Sequence, residues 1–255
     1  MKKGEILKRI YEKLCEASDT VPIQEVRIGI SYIGVRVWDD RLGLAALPLN
    51  ELPPECSRFD KAGTLMNAPA SDLVQYLVEG KNLLEKALGL AAANALLLPD
   101  RDEKKDEDAI ALMKLTAADR VAMVGLFSPL VSRIEATGAT LSVIERNPAR
   151  LAPRNEQEQR AILQSCTVAV ITATTLVNDT LEDVLSALGN PRHVAILGPS
   201  TPLSLEVFSG TPVTHLGGAV APYPRRVLQI VSEGGGTPQM RPHLWFVNLL
   251  KERAL

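Results

Sequence analysis

"ILGPSTPL" (Ile196–Leu203) decides the fold, because "MVGLFSPL" (Met123–Leu130) repeats its grammar earlier in the chain. Each stretch closes an apolar run on a glycine and then offers Ser or Thr followed by Pro. An apolar run without alternation suits a strand buried on both faces. A glycine supplies the tight turn, and a Ser or Thr hydroxyl can accept a hydrogen bond from a first-turn amide. Proline fits the first helical position, where a missing N–H costs nothing. The spacing therefore predicts two strand–glycine–helix turns, at Gly125 with Ser128 as cap and at Gly198 with Thr201 as cap.

The flanking sequence extends this pattern. Strand candidates occur at "RVAMVGL", "TLSVIER", "TVAVITAT", "HVAILG" and "PVTHLGG". Helical candidates lie between them at "SPLVSRIEAT", "NEQEQRAILQSC", "TLEDVLSALG" and "PLSLEVFSG". Buried strands alternating with helices predict an α/β, Rossmann-like doubly wound parallel sheet. The first half differs. Residues 3–17 form an amphipathic stripe of Ile6, Ile10 and Leu14, with Cys15 on the same face. Residues 25–47 predict a meander of short antiparallel strands, with Val26, Ile28 and Ile30 alternating. Two helices follow, broken near Gly80, the second carrying Leu83, Ala87, Leu90 and Asn94 on one stripe. Its small residues Gly89, Ala91, Ala92 and Ala93 invite close packing, against another domain or another subunit. The charge run "PDRDEKKDEDA" (99–109) reads as a solvated linker. It divides a smaller N-terminal α+β domain, 1–108, from the Rossmann-like domain, 109–255.

Composition excludes several functions. The 255 residues are 46% apolar, enough for a large core, and the net charge of −2 gives no electrostatic basis for nucleic acid or an anionic membrane. The longest apolar helical run, "GLAAANALLL", is too short for a bilayer, and the mixed charges of "MKKGEILKRIYEKL" do not resemble a secretory signal. The expectation is a soluble, cytoplasmic protein. Cys15, Cys56 and Cys166 lack C-x-x-C spacing, and His193, His215 and His243 have no metal-ligand spacing, so no metal site is predicted. Cys166 and His215 read as core residues, and Cys56 as a loop thiol.

In a parallel sheet, ligands bind outside the carboxyl ends of the strands. Those ends present Gly125, Phe127 and Ser128, then Glu145, then Thr172 to Asp179, then Gly198 and Thr201, then Gly217 and Gly218. Free amides at helix starts favour an anion, and Arg225 and Arg226 near a later helix start either serve that anion or face solvent. Phe127 and Leu130 stand where a dinucleotide fingerprint needs glycines, which argues against a dinucleotide. Glu145, twenty residues after Gly125, occupies the place of a ribose-holding carboxylate. It keeps a nucleotide- or S-adenosylmethionine-dependent transferase as an alternative. The chain has no G-x-S-x-G, H-E-x-x-H or phosphate-binding G-x-x-x-x-G-K-[ST] motif. A non-catalytic ligand-binding or regulatory protein is therefore the third reading.

Taken in order, "GLAAANAL", "VAMVGLFSPLVSRI", "VIERNP", "ITATTLVNDTL", "ILGPSTPLSLEVF" and "HLGGAVAPYPRRVLQIVSEGGG" resemble a bacterial and archaeal family of unknown function labelled "putative heavy-metal chelation". The resemblance implies a Rossmann-like domain preceded by a unit similar to the enolase N-terminal domain, with the site in the cleft between them. By motif match it places Gly125, Phe127, Ser128, Glu145, Asn178, Gly198, Ser200, Thr201, Gly217 and Gly218 on the Rossmann side of that cleft, and Asn94 on the other. The implied partner is a small molecule, anionic or a metal chelate. The scarcity of thiols and imidazoles disfavours direct chelation of a bare metal. No cofactor is specified, and a homo-oligomer stays open.

Overall fold

The computed structural model describes residues 1–48, 51–52, 59–99 and 108–251. Cys56 and most of the charge run lie outside the described residues. Helix α1 (Glu5–Ser18) buries Ile6, Leu7, Ile10 and Leu14, the stripe that its periodicity marks. Cys15 is only half-buried, at the edge of that face. Strands β1 (Ile23–Ile28), β2 (Tyr32–Val37) and β3 (Arg41–Ala46) form the expected antiparallel meander in the order β1-β2-β3. The alternation of Val26, Ile28 and Ile30 does not mark its buried face, since Ile28 and Ile30 are exposed. A register irregularity between Ile23 and Glu25 shifts the strand.

Helices α2 (Ser71–Val74) and α3 (Tyr76–Glu79) pack behind α4 (Leu83–Leu96), which covers the meander. Asn82 starts α4 by accepting a hydrogen bond from the Glu85 amide (2.9 Å). The small residues of α4 are used within the chain. A Cβ on Gly43 of β3 would strike the Ala91 carbonyl and the Ala95 amide, so helix and strand meet backbone to backbone. A Cβ on Gly89 would press on Leu73 and Leu77 of the helices behind.

After α5 (Ala109–Met113) the parallel alternation begins. It runs β4 (Arg120–Val124), α6 (Ser128–Glu135), β5 (Thr140–Ile144), α7 (Glu156–Ser165), β6 (Val168–Thr172), α8 (Thr174–Val177), α9 (Leu181–Ala187), β7 (His193–Leu197) and β8 (His215–Val220). Then come α10 (Pro224–Ser232), α11 (Thr237–Met240) and β9 (Trp245–Leu250). The sheet order is β5-β4-β6-β7-β8-β9, with β9 antiparallel to β8 and the remaining pairs parallel. The fold is thus a Rossmann-like, doubly wound α/β sheet beside a small antiparallel sheet. Because β4 lies between β5 and β6, its two neighbouring crossovers diverge, and a crevice opens at their carboxyl ends.

Two features depart from the sequence reading. No helix forms over "PLSLEVFSG". Pro202 to Ser204 is irregular and only Leu205–Phe208 makes a single 3-10 turn, so Thr201 caps no helix. The sixth strand, β9, has no counterpart among the expected elements.

The two sheets share one apolar core. A single cluster runs from Ile6 and Leu88 to Ile171 and Leu216. Helix α10 packs Leu228 against Gly34, where a Cβ would approach its Cδ2 to 2.6 Å. At the far end of the large sheet, the buried Asp119 accepts from Arg192 Nε (2.9 Å) and Nη2 (2.8 Å), the Thr116 amide (2.9 Å) and Thr167 Oγ1 (2.8 Å). The Arg192 guanidinium holds the Asp119 carboxyl well below the usual carboxylate range. A depressed native pKa gives stability that is full above the unfolded value of about 4 and is lost as pH falls below it. Asp119→Asn should lower unfolding stability at pH 7 by about 2 kcal/mol. Urea titrations at pH 7 and pH 3 should show the variant losing less stability on acidification than the parent.

Candidate functional site

The crevice is a cleft of about 1970 Å³. One wall is the carboxyl edge of β4 to β7. The opposite wall comes from the small sheet and the chain after it, through Tyr32, Ala46, Leu47, Pro48 and Glu51. The third side is formed by Thr237 of α11, Arg241 of the 3-10 turn after it, and Phe246 and Asn248 of β9.

Both signal glycines stand at this edge with positive φ, 82° at Gly125 and 120° at Gly198. A Cβ at Gly125 would lie 2.6 Å from Thr172 Cγ2, so only glycine lets β4 turn over β6. Gly125, Phe127, Ser128, Glu145, Asn178, Gly198, Ser200 and Gly217 line the cleft. Asn94, Thr201 and Gly218 do not, and sit behind it. Thr201 Oγ1 is buried with no partner among the described residues. Gly218 backs the Gly198 turn, since a Cβ there would meet Leu203 at 2.9 Å. Asn94 Nδ2 donates to the carbonyls of Leu44 (2.8 Å) and Ser200 (3.0 Å), joining α4, β3 and the turn.

The helix-start chemistry also differs from expectation. Helix α6 begins at Ser128 without a side-chain cap, and Phe127 precedes it. The chain itself supplies the anion for this loop. Glu145 Oε2 accepts the Leu126 amide (3.0 Å) and Oε1 accepts the Asn147 amide (2.9 Å). Arg150 pairs with Glu145 Oε2 (3.0 Å) and donates to the Leu126 carbonyl (2.6 Å). Glu145, whose side chain is 8% exposed, is therefore a clasp between the β4 and β5 loops, and its oxygens point at amides.

The polar cluster after β6 closes on itself. Thr175 Oγ1 donates to the Thr172 carbonyl (2.7 Å), and Thr172 and Thr174 hydroxyls meet at 3.1 Å. Asn178 does not cap α9. In the orientation that satisfies its surroundings, its Nδ2 donates to Thr180 Oγ1 (2.7 Å) and the Thr175 carbonyl (3.3 Å), and its Oδ1 accepts from Arg146 Nη1 (2.8 Å). Asp179 pairs with Lys86 of α4. Arg225 and Arg226 are exposed on α10 and do not line the cleft; Arg226 Nη1 donates to Gln229 Oε1 (2.8 Å).

Several cleft residues carry no signal in the sequence. Tyr32 Oη hydrogen-bonds Thr237 Oγ1 (2.8 Å) across the two units, and burial pushes its phenol above the ordinary range. Arg241 lies over the Phe246 ring at 4.7 Å. Asn248 Oδ1 meets His215 Nε2 (2.7 Å), and His215 Nδ1 meets His193 Nε2 (3.1 Å). His215 is the satisfied core histidine that its place in a strand suggested, and burial holds it below the usual imidazole value. Arg133, Arg146, Arg150, Arg160 and Arg241 line the cleft, as do Glu51, Asp108, Glu145, Glu156 and Asp183. Among the described residues, the lining carries five of each sign. Among the described residues, no group of three or more His, Cys, Asp or Glu is placed to hold a metal ion. Cys166 is buried against the Leu163 carbonyl (3.3 Å).

Two family signatures, DUF364 over residues 108–250 and DUF4213 over residues 11–97, match the chain, and both are described as "Putative heavy-metal chelation". The chain belongs to this family. A DUF364 protein of unknown function from Pyrococcus horikoshii superposes with a TM-score of 0.81 at 22% identity, covering 96% of this chain and 100% of its own. Another from Desulfitobacterium hafniense gives 0.79 at 23% identity, over 96% and 98%. These likenesses show the fold. An uncharacterized protein of Methanocaldococcus jannaschii is 26% identical over 221 residues, 83% of each chain. Among the described residues no helix is long and apolar enough to cross a membrane.

If Glu145 is a clasp, Glu145→Gln removes the charge from two amide contacts and one guanidinium. Hydrogen exchange at the Leu126 and Asn147 amides should quicken, and stability should fall by about 1–2 kcal/mol. Unchanged protection of both amides would show the clasp to be dispensable.

Proposed function

We propose that this member of the family binds a small metal-chelating compound, or its metal complex, in the cleft between the small sheet and the carboxyl edge of the large one. The observation that carries this reading is the lining of the cleft. Hydrogen-bonding groups from both units face one space, and the described lining carries charges of both signs. The described residues supply no cluster of three metal-ligating groups. A bare heavy-metal ion needs a set of soft or imidazole donors. A chelating molecule brings its own donors and asks the protein only for hydrogen bonds and counter-charges. Gly125, Phe127, Ser128, Asn178, Gly198, Ser200 and Gly217 are the residues proposed to meet it. Thr201, Gly218 and Asn94 hold the Gly198 turn in place, and Glu145 holds the Gly125 turn. The nucleotide or adenosylmethionine reading drew on the Rossmann-like pattern and on Glu145; the two backbone amides at the Glu145 oxygens weaken the second motive and leave the first.

Citrate and its nickel complex are suitable probes, because both carry several carboxylates. Thermal unfolding with either at a hundredfold excess over Kd should show about 2.7 kcal/mol of stabilisation. Ser128→Ala, at a lining position whose hydroxyl caps no helix, should weaken binding about tenfold while folding normally. Binding of free nickel as tight as that of its citrate complex would replace this reading with direct chelation.

A further inference from the structure

We infer that Glu51 is a built-in competitor for the ligand: in the ligand-free cleft its carboxylate occupies Arg146, and a ligand carboxylate takes its place. The inference rests on the cleft being a ligand site and names the chemistry of one subsite within it.

Arg146 is the residue after Glu145. Glu145 turns inward to the loop amides, and the Arg146 side chain, 59% exposed, turns out over the cleft. There it joins the two facing walls. It leaves the end of β5, its Nη1 donates to Asn178 Oδ1 after α8 (2.8 Å), and its Nη2 faces Glu51 Oε2 of the opposite unit at 3.6 Å. The Asn178 contact is with a neutral group, so it orients the guanidinium without neutralising it. The fork of a guanidinium matches a carboxylate best through two short, parallel hydrogen bonds. The Glu51 contact is single and longer than a hydrogen bond.

Other arginines of the cleft are more firmly committed. Arg150 is bound to the buried Glu145 and to a backbone carbonyl. Arg133 pairs with Asp108, and Arg241 stacks on Phe246. Arg146 is thus a cation aimed into the cleft, held by a neutral partner, and covered loosely by one carboxylate from across the mouth. An exposed pair of this length is weak and exchanges readily. The position already admits a carboxylate, so the ligand group that replaces Glu51 is assigned to the same class. A self-contact occupied four-fifths of the time raises the apparent Kd of its competitor about fivefold.

The test is calorimetric titration of citrate, in metal-free buffer of low ionic strength, into the intact protein and into variants whose folding is checked by circular dichroism. Glu51→Gln should bind citrate three- to fivefold more tightly than the parent, and Arg146→Gln about tenfold more weakly. Glu51→Gln should bring no gain when Arg146→Gln is also present. Asp183→Asn removes the same charge from the cleft lining without touching Arg146, and should change affinity by less than twofold.

Unchanged or weaker citrate binding by Glu51→Gln would overturn the competitor while leaving the cleft's function standing. The same conclusion follows from an equal gain in Asp183→Asn, or from a gain that persists without Arg146. Citrate binding to neither the parent nor Glu51→Gln would remove both readings. Inorganic phosphate binding more tightly than citrate, with the same dependence on Glu51, would overturn the carboxylate assignment.

Discussion

The cleft exists because Ser200 is held from two directions by the smaller unit. The Asn94 amide donates to its carbonyl, and the Ala46 amide donates to its hydroxyl at 2.8 Å. Asn94 and Ser200 are both buried, so neither bond can be exchanged for one to bulk water. Leaving such a buried group unpaired costs about 1–3 kcal/mol, a large share of a domain's net stability. Any hinge motion that separated β3 from the Gly198 turn would break both bonds together. The width of the cleft at this point is thereby fixed by backbone chemistry, and the neighbouring contacts reinforce it. Glu182 accepts the Ile6 amide at the start of α1 (3.0 Å), Lys86 meets Asp179, and Arg9 donates to the Ser209 carbonyl (2.7 Å).

This rigidity changes how the charges around the cleft act. A carboxylate already positioned by the fold satisfies whatever cation or amide it reaches, and its burial decides whether a ligand can displace it. Glu145 is buried and divides its oxygens between two amides and an arginine. Removing it would leave three donors unsatisfied, so it belongs to the scaffold. Among the described residues, the side chain of Glu51, 27% exposed, makes one long ion-pair contact and loses little on leaving it. The same functional group is structural at one position and exchangeable at another.

The sequence disclosed those parts of this arrangement that have a local cause. Gly125 and Gly198 were legible because only glycine takes the positive φ that each turn needs. The parallel sheet was legible because buried strands read as continuous apolar runs. Asn94 stood out as the polar residue on an apolar stripe, and its two carbonyl partners explain it. Other features depend on packing and left no trace. Thr201-Pro202 looks like a helix start, but Leu203 is needed as a plug against Gly218, and the chain stays irregular to place it. Strand β9 has no turn signal tying it to β8, since α10 and α11 intervene. Tyr32, Glu51, Arg146 and Asn248 enter the site only because distant segments converge, which no spacing encodes.

The floor and rim of the cleft then divide the work of recognition. Of the wall groups, Tyr32 and Asn248 are neutral, with the buried His215 behind Asn248. Burial keeps the Tyr32 phenol protonated and His215 uncharged, and Asn248 is held against His215. Gly217 permits that last contact, since a Cβ there would come 2.6 Å from Leu197 Cδ2 and 3.1 Å from Asn248 Oδ1. Neutral groups in a confined space discriminate by hydrogen-bond geometry, because any mismatch leaves a desolvated polar atom. The charges lie at the rim, where solvent weakens them and both signs are present. Among the described residues, no three metal-ligating groups converge to meet a metal cation on its own. On the proposed reading, a molecule that wraps the metal in its own donors presents neutral and carboxylate edges, one suited to the neutral groups of the cleft and the other to its exposed arginines.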